Sequence, residues 1–181
     1  MRAHYFSTFQ LILMALFAAL IVVAKIALKL PLQLPGHSGI FWMAILVVSS
    51  RVIPKPGAAS IVGLTSGLLA AFLGVGDFGA LDTVLSYTMA GIGTDVTVLF
   101  LGSPENLFVA TLAGIFGNLS KFLVKWGIGL VSGAPLGFVA LGLARSLISY
   151  IVFGALGGLL GGLTLIALRK AGFFTYLEEK R

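Results

Sequence analysis

The first long apolar block of the chain, Phe9–Leu30, reads FQLILMALFAALIVVAKIALKL. Its strongly polar residues are Gln10, Lys25 and Lys29, and Pro31 follows it directly. A helix needs roughly 20 apolar residues to cross the hydrocarbon core of a bilayer, and this block has that length. Polar and apolar residues do not alternate along it, as they would in a strand of a transmembrane barrel. The block therefore predicts a membrane-spanning α-helix.

Apolar blocks of similar character make up most of the chain. Of its 181 residues, 59% are hydrophobic and 10% are charged, whereas soluble domains are about 25% charged. Glycine, proline or charged residues separate the blocks, which predicts spans at Phe9–Leu30, Ile40–Ile53, Ala58–Val75, Ala80–Leu101, Asn106–Val131 and Leu136–Leu168. We therefore predict an all-α membrane protein: a six-transmembrane-helix bundle, with a single integral membrane domain over residues 1–181.

The basic residues near the span ends predict the orientation of the bundle. Most of them fall on one side, namely Arg2, Arg51, Lys55, Arg169, Lys170, Lys180 and Arg181. Cytoplasmic loops carry an excess of lysine and arginine, so this side is predicted to face the cytoplasm, with both termini. The net charge of +6 then reflects anchoring at the anionic lipid bilayer rather than a nucleic-acid partner.

Small residues at intervals of four recur in the last span, as Gly154, Gly158 and Gly162. This spacing lets helix backbones approach closely. It predicts packing either inside the monomer or against another membrane subunit.

Polar residues inside the spans are the candidates for function, because an ionisable group in a membrane is costly unless it is paired or used. At 1.5 Å per residue, Arg145 lies about 13 Å and Tyr87 about 9 Å below the predicted outer surface. The candidates that converge on this outer half are His37, Trp42, Asp82, Tyr87, Asn118, Lys121 and Arg145. We expect them to line a substrate-binding pocket that opens to the outside.

Each side-chain type suggests a role in that pocket. Arg145, Lys121 and Asn118 would bind polar or anionic atoms, and a guanidinium grips a carboxylate or phosphate with two parallel hydrogen bonds. Trp42 and Tyr87 would stack on a ring. The residues expected to close the mouth of the pocket are His37 and Asp82.

The same residues could instead have purely structural roles. Arg145 would instead pair with a buried carboxylate such as Asp82, and the lysines of the spans would extend to lipid head groups. Trp126 is either a ring partner or an interfacial residue. Toward the inner end, Asp95 and Arg51 lie at similar depth, which predicts a structural ion pair between them.

The sequence motifs do not indicate a catalytic site or a metal site. The run Gly36-His37-Ser38-Gly39 matches a pattern of intramembrane serine proteases, but no histidine follows it to act as the base. Asp77, Asp82 and His37 would suit a divalent ion, yet their spacing does not require one. The chain has no cysteine and no phosphate-binding loop. We predict a protein that is not an enzyme and holds no metal or other cofactor.

The first span also contains Ala15-Leu16-Phe17-Ala18-Ala19. With the size of the chain, six predicted spans and the segment Pro31–Gly39 between the first two, this resembles the substrate-binding S component of an energy-coupling factor (ECF) transporter. The resemblance implies that Ala15 and Ala19 face a transmembrane T subunit, and that two ABC ATPases drive transport. It also implies an outer pocket capped by Pro31–Gly39 and by loops at Gly76–Asp82 and Ser132–Pro135.

Within that family, the cobalt and nickel branch uses a histidine at the extreme N-terminus as a metal ligand. Here His4 falls on the predicted cytoplasmic side, which favours a small water-soluble vitamin or vitamin precursor as the substrate. The predicted location is the plasma membrane of a prokaryote. A cobalt- or nickel-type binding subunit, a self-contained secondary transporter and an intramembrane enzyme stay open as alternatives. Against the second of these, no convincing internal repeat relates the two halves of the chain.

Overall fold

The computed structural model describes residues 5–27, 37, 39–75, 79–131 and 136–175, without the side chains of 136–141. Six helices account for nearly all of these residues, and no strand occurs among them. The helices are α1 (Thr8–Ala27), α2 (Gly39–Val52), α3 (Ala58–Phe72), α4 (Ala80–Leu101), α5 (Leu107–Val131) and α6 (Leu136–Lys170). The prediction of an all-α protein is confirmed.

Four stretches in the described part of the chain are long and apolar enough to cross a membrane. They are Thr8–Ala27, Ala80–Leu101, Leu107–Val131 and Gly142–Lys170. The helices α2 and α3 are apolar but shorter, with 14 and 15 residues. A short apolar helix can be accommodated by local thinning of the bilayer.

Many large apolar side chains lie on the outside of the bundle. Leu16, Leu20, Leu99, Phe100 and Leu163 are all large side chains that lie exposed on the surface. A water-soluble monomer rarely exposes so much contiguous apolar area, whereas lipid favours it. The chain is therefore a membrane protein.

The helix α2 lies at the centre of the bundle and contacts each of the other five helices. Most of its residues are buried, including Trp42, Met43, Leu46 and Val47. A helix that is apolar on all sides is expected to be surrounded by other helices. This central position brings Trp42 within reach of side chains from several neighbours.

Glycine permits the closest helix contacts. A Cβ atom placed on Gly114 of α5 would lie 2.6 Å from the Cα of Gly158 on α6. On an adjacent face of α6, a Cβ on Gly157 would lie 2.8 Å from the carbonyl oxygen of Ile40 on α2. The predicted small-residue packing in the last span is thus used inside the monomer, between α6 and both α5 and α2.

The end of the bundle where α2 ends and α5 begins, here called the arginine end, holds a network of charges. Arg51 donates from Nε to Glu105 at 2.6 Å, and Arg169 donates to the other oxygen of Glu105 at 3.0 Å. These contacts tie the end of α2, the start of α5 and the end of α6 together.

The predicted ion pair between Asp95 and Arg51 is wrong. Asp95 accepts hydrogen bonds from the backbone N–H groups of Ala59 and Ser60, at 3.2 and 2.7 Å, and from the Ser60 hydroxyl at 2.6 Å. The first amides of a helix lack partners within the helix, and Gly57 at the N-cap of α3 offers no side-chain oxygen. A carboxylate of α4 therefore caps α3, while Arg51 pairs with Glu105.

Candidate ligand-binding site

Two aromatic side chains form the floor of a buried cluster in the half of the bundle opposite the arginine end. Trp42 on α2 and Tyr87 on α4 stack with ring centroids 5.0 Å apart and ring planes 23° from parallel. Each side chain is 2% exposed. The central position of α2 and the close approach of α3 to α4 hold the two rings face to face.

Lysine side chains from two further helices lie against these rings. The ammonium of Lys121 on α5 is 4.7 Å from the ring centroid of Trp42 and 5.9 Å from that of Tyr87. Lys25 on α1 places its ammonium 5.4 Å from the centroid of Tyr87. A cation over an aromatic face is stabilised, more so when water is excluded. Lys121 is 3% exposed, so it points into the bundle and does not extend to the head groups.

Asp82 supplies a carboxylate to the same region. It is buried in the first turn of α4, where its Oδ1 accepts a hydrogen bond from the hydroxyl of Ser86 at 3.2 Å. Its Oδ2 lies 3.9 Å from the ammonium of Lys125, one turn beyond Lys121 on α5. This distance makes a loose ion pair. The described ionic partner of Asp82 is thus Lys125 and not Arg145, the partner that the alternative interpretation suggested.

Asn118 is fully buried one turn before Lys121. Its Nδ2 donates to the carbonyl oxygen of Tyr150 at 2.8 Å, which fixes the direction of the amide. Among the described residues, no group donates a hydrogen bond to its Oδ1. A buried acceptor without a donor costs about 1–3 kcal/mol, so this oxygen is a point where the N–H or O–H group of a ligand would be stabilised.

Gly39, the first residue of α2, makes room for that amide. A Cβ at this position would lie 2.8 Å from Oδ1 and 2.9 Å from Nδ2 of Asn118, both too close for a stable contact. The absence of a side chain at the start of α2 therefore allows Asn118 to occupy its position between α2, α5 and α6.

His37 lies at the edge of the cluster, just before α2. Its ring meets Phe153 of α6 edge-to-face, with centroids 6.5 Å apart, and its carbonyl oxygen accepts from Ile40. The segments predicted to close the pocket are Pro31–Gly39, Gly76–Asp82 and Ser132–Pro135. Except for His37, Gly39 and residues 79–82, they lie outside the described residues.

Arg145 is not brought into this cluster. It is exposed and lies along the same face of α6 as Ile148, Val152 and Leu156, which are also exposed. Successive helix positions are about 100° apart, so Arg145 is offset by about 140° from the buried Tyr150. The sequence predicted the depth of Arg145 in its span, but depth does not fix the direction in which a side chain points around the helix axis. Arg145 points away from the cluster.

Five of the seven predicted pocket residues come together: Trp42, Asp82, Tyr87, Asn118 and Lys121. Two further members, Lys25 and Lys125, had been interpreted as residues that extend to head groups. The spacing of four residues between Lys121 and Lys125 places both on one face of α5 and is the sequence signal for Lys125. For Lys25 the sequence offers no comparable signal.

The alanines predicted to contact a T subunit lie on α1. Ala15 is exposed and Ala19 is half-buried, and the neighbouring Leu16 and Leu20 are exposed as well. This stretch of α1 therefore faces away from the core and is accessible to a partner in the membrane.

Comparison with known proteins places this arrangement in a family. Residues 6–120 match the family described as "ABC-type cobalt transport system, permease component". The chain belongs to this family. As a member of the cobalt-type permease family, it is related to membrane transport proteins and not to catalysts. No curated protein matches the chain.

A solved structure extends the likeness of this cobalt-type permease family member to almost the whole chain. The protein described as "Crystal structure of an S-component of ECF transporter" matches with a TM-score of 0.67 and 20% sequence identity. The match covers 97% of this chain and 95% of that one. The predicted resemblance is confirmed: the chain has the fold of an ECF transporter S component.

Proposed function

We propose that the chain is the high-affinity substrate-binding membrane subunit of an ECF-type transporter for a small water-soluble vitamin or vitamin precursor. It forms a single domain of six spans in the plasma membrane of a prokaryote, with both termini in the cytoplasm. A T subunit and two ABC ATPases complete the transporter, and the chain binds its ligand without catalysing a reaction. The observation that carries this proposal is the buried polar and aromatic cluster between α1, α2, α4 and α5, inside an S-component fold.

The cluster has the composition of a small-molecule site, with apolar walls and a few polar groups that converge. A planar ring of the ligand would lie against Trp42 and Tyr87. Polar atoms of the ligand would bind to the ammonium of Lys121 and to Oδ1 of Asn118. His37 and Asp82 would close the mouth. Because Arg145 points away from the cluster, we assign its proposed contact with the ligand to Lys121.

Transfer of the ligand requires the partner subunits. Since Ala15 is exposed on α1, its small side chain would let a helix of the T subunit approach the backbone closely. Closure of the outer loops over the ligand, followed by ATP-driven reorientation of the whole subunit, would release the ligand on the inner side.

Cobalt or nickel is the second candidate substrate, and the description of the matched family favours it. Such ions prefer nitrogen, oxygen or sulfur ligands at a common point. In the part of the chain that the structure describes, no group of three His, Cys, Asp or Glu side chains stands close enough to hold a metal ion. His4 lies outside the described residues. We therefore rank the organic substrate first.

Ligand retention tests the proposal. The protein, purified in mild detergent from cells grown in rich medium, would be analysed by native mass spectrometry for a bound small molecule and by elemental analysis for cobalt and nickel. Wild type is expected to retain one organic molecule and no stoichiometric metal. The variant Trp42→Ala should retain it at least about tenfold less, because one aromatic wall of the site is lost.

Trp126→Ala is the matched control, since Trp126 is the second tryptophan of the chain and is exposed on α5. It should retain the ligand as wild type does. Co-purification of the chain with T and ATPase subunits would distinguish the proposal from a self-contained secondary transporter or an enzyme. Stoichiometric metal without an organic ligand would transfer the assignment to the cobalt- or nickel-type subunit.

A further inference from the structure

A cavity of about 540 Å³ lies at the arginine end of the bundle. Pockets that hold small molecules have volumes of about 300–1,000 Å³, so this cavity has room for a ligand. It is separate from the aromatic cluster, because neither Trp42 nor Tyr87 lines it. Its lining includes four charged side chains and an apolar wall, which are Arg51, Lys55, Asp95 and Glu105, and Val98 and Leu99.

Both carboxylates of the cavity already have donors inside the protein. Asp95 accepts three hydrogen bonds at the start of α3, two from backbone N–H groups and one from the Ser60 hydroxyl. Glu105 accepts one hydrogen bond on each oxygen, from Arg51 and from Arg169. The two acids are therefore engaged in holding helices together, and neither requires a cation in the cavity.

Arg51, by contrast, has hydrogen-bond donors to spare. A guanidinium carries five N–H groups, and Arg51 uses the one on Nε for Glu105. No oxygen of the described residues accepts a hydrogen bond from its Nη atoms. The ring of Phe174 lies against the guanidinium, with its centroid 4.7 Å from Cζ, and holds it in place. The side chain is 29% exposed, so its remaining N–H groups can reach a ligand. Their fork geometry suits the oxygens of a phosphate.

Lys55 brings a second cation to the cavity. Its ammonium donates to the backbone carbonyl oxygen of Tyr5 and lies 5.5 Å and 5.6 Å from the ring centroids of Tyr5 and Phe6. These partners are neutral, so they leave its positive charge uncompensated. Counted with the two arginines that share Glu105, the described groups at the cavity have three positive charges. Asp95 and Glu105 supply two negative ones, which leaves one positive charge.

The apolar wall of the cavity continues into the lipid-facing surface. Leu99 lines the cavity and is 64% exposed, and Phe100 beside it is exposed as well. The apolar surface of α4 ends two residues later at the polar turn that begins with Gly102. Tyr5, also exposed, has the position that tyrosine favours at the boundary between lipid and water. The cavity thus lies where acyl chains meet head groups.

We propose that this cavity binds the head group of an anionic phospholipid. The lipid phosphate would accept hydrogen bonds from the Nη atoms of Arg51 and be attracted by Lys55, and an acyl chain would lie along Leu99. This proposal is independent of the proposed function. A soluble phosphate compound would use the cations but not the apolar wall, and a zwitterionic lipid would bring a cation of its own next to Lys55. The bound lipid would link the ends of α2 and α4 and so stabilise the bundle.

Lipid titration tests this proposal. The protein would be purified in mild detergent, stripped of lipid, and titrated with phosphatidylglycerol, with phosphatidylcholine of the same acyl chains, or with glycerol phosphate. Native mass spectrometry would count the bound molecules. The first phosphatidylglycerol should bind at about tenfold lower concentration than phosphatidylcholine, because two cations meet its phosphate. Glycerol phosphate should not bind in that range. Equal binding of the two lipids, or equal binding of glycerol phosphate and phosphatidylglycerol, would overturn the proposal.

Matched variants locate the bound lipid. Lys55→Met removes a cation that has no carboxylate partner in the described part of the chain, and should weaken phosphatidylglycerol binding about fivefold. Lys170→Met makes the same change of charge at the exposed last residue of α6, outside the cavity, and should bind lipid as wild type does. Equal weakening in both variants would show that the lipid responds to general surface charge, which would overturn the site.

Arg51→Lys supplies an independent measurement. It keeps a positive charge beside Glu105 but loses the fork of N–H groups, so phosphatidylglycerol should bind several-fold more weakly. All variants would be compared as monodisperse protein at equal concentration. If Arg51→Lys does not fold, the comparison of Lys55→Met with Lys170→Met still decides the question. Binding of wild-type strength in both Lys55→Met and Arg51→Lys would overturn the proposal.

Discussion

Gly39 offers the sharpest test of how the site is built, because a single methyl group there should disturb Asn118 and little else. In Gly39→Ala the new Cβ would lie 2.8 Å from Oδ1, 2.9 Å from Nδ2 and 3.1 Å from Cγ of Asn118. All three distances are shorter than a normal carbon contact, so the amide must move. The move would break its 2.8 Å hydrogen bond to the carbonyl oxygen of Tyr150.

The expected loss of folding stability in Gly39→Ala follows from two effects. Forcing an extra methyl group into a well-packed interior costs about 1–3 kcal/mol. Loss of a neutral hydrogen bond inside the protein adds about 1 kcal/mol. For a chain of this size, each kcal/mol lowers the melting temperature by roughly 2–4 °C. Gly39→Ala should therefore melt several degrees below wild type, and its retained ligand should fall because Oδ1 of Asn118 is displaced.

Gly127→Ala is the matched control for this experiment. Gly127 is also a helical glycine, on α5, and a Cβ there would meet no neighbouring atom of the described residues within 4 Å. Alanine favours a helix over glycine by about 1 kcal/mol, so this variant should be as stable as wild type or slightly more stable. Melting of each variant would be followed by fluorescence-detected size-exclusion chromatography after heating in detergent.

A double mutant identifies the clash itself. Asn118→Ala removes the amide, so adding Gly39→Ala to it should cost little further stability. The coupling between the two sites should lie between about 0.5 and 3 kcal/mol, as expected for residues in contact. If Gly39→Ala lowers the melting temperature equally with and without Asn118, or does not lower it at all, the proposed packing of the site is wrong.

Two further predictions concern other parts of the molecule. Asp95→Ala should lower stability by about 0.5–2 kcal/mol, because it removes the cap of α3. Ser60→Ala should cost less, since both backbone hydrogen bonds to Asp95 remain. Thermal unfolding in detergent measures both variants, and equal melting temperatures for the two would contradict the capping role. Ala15→Trp should reduce co-purification of the T and ATPase subunits and leave ligand retention unchanged, because a bulky side chain on the exposed face of α1 would hold a partner helix away. Assembly at the wild-type level in quantitative pull-downs would show that this face is not the docking surface.

The helix boundaries were largely predictable from the sequence, because their causes are local. The predicted fourth span, Ala80–Leu101, is the observed α4, and the predicted second span differs from α2 by one residue at each end. Glycines, prolines and charges mark these ends wherever the helix could not continue. The predicted third span ran to Val75, but α3 ends at Phe72, where Leu73 and Gly74 donate backbone hydrogen bonds to the last turn.

The candidate site was predictable in part. The side-chain types of Trp42, Tyr87, Asn118 and Lys121 and their similar depth indicated a common pocket, and the structure brings them together. Arg145 has comparable depth but points outward, and Asp95 lies near the depth of Arg51 but contacts the start of α3 instead. In each case the depth was predicted and the lateral direction was not.

The sequence alone thus determined that this protein is a bundle of apolar helices and, to within a few residues, where most of these helices begin and end. These two properties depend on hydrophobic length and on residues that break helices, and both act over short distances along the chain. Tertiary structure decided that α2 occupies the centre, which faces of the helices turn inward, and that Lys25 and Lys121 meet around Trp42 and Tyr87. The rotation of one helix about its axis relative to another depends on contacts between residues far apart in the chain, such as Gly114 with Gly158. A single sequence does not predict which of these contacts form.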